Sequence, residues 1–134
     1  MKANQDLKIV GIIGMPLKHS LSPFLHNYWI KKNNINARYI PFAIKKIADI
    51  NTTIKTLNIL GLNVTIPYKV KVIPKLDSVD EAAKRINSVN TLVLRKGLIK
   101  GYNTDLYGFS LGLEEKKNWN KKRPVFVFGA GGAA

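Results

Sequence analysis

Cysteine is absent from the 134 residues, which excludes a disulfide framework and any thiolate metal centre and is compatible with a reducing cytoplasm. His19 and His26 are the only histidines, too few to suggest a zinc site, and no metal is expected. Long apolar runs are missing as well. No window approaches the roughly 20 apolar residues of a membrane span, and the opening Met-Lys-Ala-Asn-Gln-Asp-Leu-Lys has no apolar stretch behind a basic segment. Neither membrane insertion nor export is predicted, and a cytoplasmic location is. Acidic residues are scarce: 8 Asp and Glu face 22 Lys and Arg, giving a formal charge of +14.

That charge invites a nucleic-acid reading, because lysine-rich surfaces bind phosphate backbones by releasing counterions. The lysines, however, are scattered through every segment, and aromatics are not interleaved with them. Biased usage of Lys, Asn and Ile accounts for the pattern equally well. A positive field would still help to capture anionic substrates and cofactors, and no nucleic-acid partner is expected. With 46% apolar and 9% aromatic residues, the chain can build one ordinary core.

Residues Leu7 to Ile13 form a short β-branched run closed by Gly14 and predict a buried strand. Gly14-Met-Pro-Leu-Lys-His-Ser-Leu-Ser-Pro23 is a loop dense in turn formers. Ser22-Pro23 marks a helix start with serine as N-cap, and the helix runs to about Lys32. Ser20 and Ser22 therefore stand before free backbone donors, where an anion such as a carboxylate is favoured, although plain capping explains Ser22 too. Ala37 to Ala43 predicts a second strand, with Pro41 suggesting an edge or a bulge. Apolar residues spaced by three and four from Lys46 to Leu60 predict an amphipathic helix stopped by Gly61. Strand, helix and strand in this order imply a right-handed crossover and a largely parallel sheet.

Gly61-Leu-Asn-Val-Thr-Ile-Pro-Tyr-Lys69 predicts a strand whose apolar face carries Val64 and Ile66 and whose other face presents Asn63 and Thr65. Pro67 ends the ladder. Lys69 thus stands just past the carboxyl end of a strand, where open α/β sheets place their ligands; a solvated surface lysine is the plainer alternative. A short helix over Val70 to Ile73 broken by Pro74, a helix over Asp77 to Ile86, a strand over Asn87 to Leu94 and a hairpin through Lys96-Gly97 to Tyr102 follow. Asn103 or Thr104 caps a helix from Leu106 to about Lys117, with Asp105 in its first turn. Residues 105–123 read as a connecting helix and linker. Finally, residues 124–128 predict a strand that runs into Gly129-Ala130-Gly131-Gly132-Ala133-Ala134. A strand followed by Gly-x-Gly-x-x-Ala opens a dinucleotide-binding βαβ unit, and the chain stops inside it.

Taken in order, Gly14-Met-Pro-Leu-Lys-His-Ser-Leu-Ser-Pro, Gly61-Leu-Asn-Val-Thr-Ile-Pro-Tyr-Lys, Ile86-Asn-Ser-Val-Asn-Thr, Gly101-Tyr-Asn-Thr-Asp-Leu-Tyr-Gly and the glycine-rich ending resemble the amino-terminal half of the shikimate dehydrogenases. The resemblance implies an α/β protein: a three-layer αβα substrate domain over residues 1–104 with a mostly parallel mixed sheet, and the first strand of a truncated Rossmann domain over 124–134. It implies an oxidoreductase acting on a CH–OH group, reducing 3-dehydroshikimate to shikimate with NADPH on the route to chorismate and the aromatic amino acids. By position, Ser20 and Ser22 would hold the substrate carboxylate, and Thr65, Asn90 and Asp105 the ring hydroxyls, assisted by Asn63. Lys69 would be the acid/base group beside Asp105. Gly129, Ala130, Gly131, Gly132 and Ala133 would face NADP. A homodimer is compatible with the resemblance, and the fragment alone is expected to be inactive. A quinate-accepting dehydrogenase and a non-catalytic basic binding module are the alternatives.

Overall fold

A computed structural model describes residues 7–116, 124–129 and 131. The elements run β1 (Lys8–Gly14), α1 (Ser22–Lys32), β2 (Ala37–Ala43), α2 (Ile50–Thr56), β3 (Ile59–Val64), β4 (Ser78–Val79), α3 (Glu81–Arg85), β5 (Thr91–Arg95), β6 (Leu98–Tyr102) and α4 (Asp105–Glu114). They build a mixed six-stranded sheet of order β2-β1-β3-β5-β6-β4. Pairs β1/β2, β1/β3 and β4/β6 are parallel, while β3/β5 and β5/β6 are antiparallel. The α/β architecture expected from the alternating pattern is therefore present, and among the described residues no helix is long and apolar enough to cross a membrane.

The two faces of the sheet differ. Because side chains alternate along a strand, Ile13, Leu62, Val64, Leu92 and Ile99 gather on one side. There Ile50 and Ile54 of α2 and Ala83 of α3 close over them to form the core. The register sets Val10 beside Tyr39 and Gly61, and Ile12 beside Pro41 and Asn63, so the opposite face carries the polar side chains. Helix α1 lies over that face without burying any residue. What ties it down is polar: Asn27 Nδ2 donates to the Tyr39 carbonyl at 2.9 Å, and Asn27 Oδ1 accepts from the Tyr39 N–H at 3.0 Å. As Pro41 suggested, β2 is an edge strand.

Several boundaries differ from the expected ones. Only Ile50–Thr56 is helical in the 46–60 stretch, because Asn58 takes a left-handed φ of 47° and Ile59 enters β3 opposite Ile9. The Ile59-Leu60 pair continued the helical spacing by coincidence; Ile59 is buried as a strand residue. The stretch 70–73 does not form an α-helix, and Pro74 lies inside a 3₁₀ turn, Ile73–Lys75. In the 77–86 stretch a short strand precedes the helix: Asp77 accepts the Ile99 N–H at 2.7 Å, and Ser78–Val79 pairs with Lys100 and Gly101. That backbone donor, with Lys55 at 3.0 Å, holds the Asp77 carboxyl below its ordinary range. Helix α3 then starts on Asp80, whose side chain accepts the Ala82 N–H. Strand β5 begins at Thr91, and the buried Ser88, Val89 and Asn90 precede it as irregular chain. Residues 124–128 are exposed and not in a strand; a β-branched run needs a ladder partner to become one.

Candidate active site

Lys69 is delivered by a loop anchored at several points. Tyr68, 4% exposed, donates its hydroxyl to the Ile44 carbonyl at 2.6 Å, and its N–H closes a turn onto the Thr65 carbonyl. The Lys69 carbonyl accepts the Val89 N–H at 2.8 Å. With the backbone pinned on both sides, the side chain is largely covered and its Nζ meets Asp105 Oδ2 at 2.6 Å. Asp105 is half exposed and opens α4, so lysine and carboxylate come from segments 36 residues apart.

Two asparagines hold the start of α4. Asn103 Oδ1 accepts the Leu106 N–H at 3.1 Å while its Nδ2 donates to the Ser88 carbonyl at 3.0 Å. Of the two expected caps, Asn103 therefore supplies the side-chain bond and Thr104 does not. Asn90, buried, accepts the Thr104 N–H at 3.0 Å and the Thr91 hydroxyl at 2.9 Å, and its Nδ2 donates to Thr104 Oγ1 at 2.9 Å. An asparagine has two donor hydrogens and two acceptor lone pairs. Asn90 is thus mostly engaged in fixing the neighbouring chain, with one N–H left for a ligand.

A second cluster lies farther along the same sheet face. Tyr39, buried to 4% exposure, donates its hydroxyl to Asn63 Oδ1 at 2.7 Å. Burial pushes the phenol up from 10.0 to about 12, and a hydrogen bond with Ser22 works in the opposite direction. Ser22 is consequently not the N-cap: it is the first residue of α1, no side chain caps that helix, and Ser20 Oγ accepts the Ser22 N–H at 3.4 Å. Thr65 is pinned between strands, its N–H donating to the Ile13 carbonyl, and it packs where a Cβ on Gly14 would lie 2.4 Å from its Cγ2. Strand pairing sets Asn63 opposite Thr91, the residue bonded to Asn90.

Tyr39 is thus bonded to Asn63, while Thr91, the strand partner of Asn63, is bonded to Asn90 and through it to Thr104, the residue before Asp105. Beside Lys69 and Asp105 opens a cleft of about 760 Å³, lined by both and by Ser88, Asn103, Phe109 and the 127–131 segment's Val127, Phe128, Gly129 and Gly131. Its size suits a small ligand. Ser20, Ser22, Asn63, Thr65 and Asn90 do not line that cleft. Gly129 has a φ of +112°, and a Cβ on either Gly129 or Gly131 would meet open space. Ala130, Gly132 and Ala133 lie outside the described residues. Tyr39, Thr91 and Ser88 were not foreseen as site residues; only the polar ends of Tyr39 and Thr91 inside apolar strand runs could have marked them.

The chain matches the family described as the shikimate dehydrogenase substrate binding domain over residues 12–92. Shikimate dehydrogenase (NADP(+)) of Caldanaerobacter subterraneus subsp. tengcongensis is 44% identical over 136 aligned positions, covering 100% of this chain and 49% of the relative. A crystal structure of a shikimate dehydrogenase in complex with NADP+ superposes with a TM-score of 0.85 at 38% identity, covering 94% of this chain and 45% of the other. The Thermus thermophilus shikimate 5-dehydrogenase in complex with shikimate gives a TM-score of 0.78 at 31% identity over 94% of this chain and 49% of the other. The chain spans about half the length of the curated relatives it matches.

Proposed function

We propose that this chain, which belongs to the family of shikimate dehydrogenase substrate-binding domains, binds shikimate and 3-dehydroshikimate and supplies the proton-transfer pair for their NADP-linked interconversion. The observation that carries this reading is the 2.6 Å contact between Lys69 Nζ and Asp105 Oδ2 in the lining of the cleft. The left-handed Gly129, with open space around Gly129 and Gly131, fits the opening of a phosphate-binding turn. NADPH, when bound there, supplies the hydride. Reduction of a ketone leaves negative charge on its oxygen, and a protonated lysine within hydrogen-bond reach stabilises that charge and delivers a proton. Asp105 orients the Lys69 ammonium. In the reverse direction Lys69 receives the hydroxyl proton.

Ser20 and Ser22 are proposed to seat the carboxylate, and Asn63, Thr65 and the remaining N–H of Asn90 the ring hydroxyls. A clearly positive chain attracts such an anion over distance. The test is to record amide shifts of the 134-residue chain while titrating shikimate. Shifts clustered at Ser20, Ser22, Thr65, Lys69, Asn90 and Asp105 support the reading. A folded chain with no shifts up to millimolar ligand refutes shikimate binding by this half, and strongly salt-dependent binding of duplex DNA in its place would favour a basic binding module.

A further inference from the structure

Helix α4 opens on Asp105 and buries none of its residues, so packing does not fix where its first carboxylate points. Nor does the ion pair fix itself. The Asp105 side chain is 50% exposed, and a pair with so open a partner does little to order the two side chains that form it. The 2.6 Å approach of Lys69 Nζ therefore depends on how the two backbones are held. A single buried peptide group holds both. The Val89 N–H donates to the Lys69 carbonyl at 2.8 Å, and the Ser88 carbonyl, in the same planar unit, accepts from Asn103 Nδ2 at 3.0 Å. Ser88 and Val89 are 2% and 0% exposed, so this crosspiece is fixed in the core.

We infer that Asn103 is a positioning residue that aligns Asp105 with Lys69 through the Ser88–Val89 peptide group. The inference rests on the reading of Lys69 and Asp105 as the proton-transfer pair and adds to it what sets their geometry. An asparagine amide has separate donor and acceptor atoms, and Asn103 uses one of each. Its Oδ1 takes the Leu106 N–H at 3.1 Å in the first turn of α4, while its Nδ2 reaches Ser88. From lysine to carboxylate the path is the Lys69 backbone, one peptide plane, one side-chain amide and the helix start. Capping alone requires only an oxygen, which serine or threonine supplies as well. The amide donor is the part that ties the helix to the lysine segment. Asn90 does a different task, since it tethers Thr104 to the start of β5.

The test compares the 134-residue chain with Asn103→Ser, which keeps an oxygen for the Leu106 N–H and loses the separate amide donor that reaches Ser88. In isotope-labelled, ligand-free protein the readout is the scalar coupling between Lys69 Nζ and the Asp105 carboxyl carbon, which passes through the hydrogen bond joining them. Wild-type protein is expected to show this coupling. Asn103→Ser is expected to lose it while α4 keeps its helical chemical shifts, and to bind shikimate about tenfold more weakly, the scale of one hydrogen bond to a charged group. A coupling retained in the variant, or absent from the wild type, overturns the inference, and so does an unchanged affinity for shikimate. Helical shifts lost together with the coupling also overturn it, because capping then accounts for the effect. If Asn103→Ser does not fold, Asn103→Thr is read in the same way, and unfolding of both would make Asn103 a residue of the fold and overturn its positioning role. Wild-type protein that shows the coupling but no response to shikimate overturns the ligand reading alone.

Discussion

Asn90→Ala should loosen the site and the fold together, because one buried amide ties the start of β5 to the start of α4. The side chain is 8% exposed and makes hydrogen bonds to the Thr104 N–H, Thr104 Oγ1 and the Thr91 hydroxyl at 2.9–3.0 Å. Each such bond is worth about 1 kcal/mol net, and removing the shared partner strands donors that were satisfied. The expected cost is roughly 2–3 kcal/mol. For a domain of this size that corresponds to a fall of roughly 6–15 °C in Tm. Urea denaturation followed by circular dichroism measures the loss. Amide exchange at Thr104 gives the local readout, since its N–H loses its acceptor and should exchange much faster. The first turn of α4, which carries Asp105, would be released from its tether to β5. A loss below about 0.5 kcal/mol with an unchanged urea slope, or an unaltered exchange rate at Thr104, would refute the assignment of Asn90 as the organiser of this corner.

At high pH the buried phenol of Tyr39 should destabilise the fold. Its folded value of about 12 lies above the ordinary 10.0, so the stabilisation is complete below pH 10 and is lost as pH rises toward 12. The loss amounts to ~3 kcal/mol, and Tyr39→Phe should flatten that part of the stability profile; superimposable alkaline profiles would contradict it. Gly11→Ala would place a Cβ 2.1 Å from the Ile40 carbonyl oxygen and 2.8 Å from the Phe42 ring, forcing β2 away from β1. Overpacking of this kind should cost more than about 2 kcal/mol in a denaturation experiment, and a variant as stable as wild type would show that the edge strand yields freely.

Lys69 and Asp105 each follow a punctuation signal: the Asn103-Thr104 pair opens a helix at Asp105, and Pro67 precedes Lys69. Strand β3, however, already ends at Val64, and Ile66, expected on its apolar face, is exposed in the turn beyond it. Their pairing was not legible from position along the chain; it came from the resemblance to the shikimate dehydrogenases. The Tyr39–Asn63 bond was not legible, since it depends on which faces of β2, β1 and β3 share a side. Tyr39 in Ala-Arg-Tyr-Ile-Pro-Phe reads simply as a β-forming aromatic. Helix lengths failed for a related reason. Ile59 and Leu60 kept the spacing of Ile50 and Ile54, and only the left-handed turn at Asn58 separates helix from strand. The run at 124–128 has strand-forming residues, but pairing is a property of two segments and one alone does not determine it.

The grip of Asn27 on Tyr39 also bears on how copies of this protein can meet. An open sheet edge offers a row of unpaired donors and acceptors to which another strand can add. On β2 that row is interrupted: the Ala37 N–H goes to the Ile35 carbonyl, the Tyr39 pair is taken by Asn27, and Pro41 has no N–H to give. At the opposite edge β4 is only two residues long, too short to guide a partner strand. Strand addition is therefore disfavoured at both edges. The apolar surface that α1 leaves open, with Phe24 and Trp29 exposed, offers side-chain contact instead of backbone pairing.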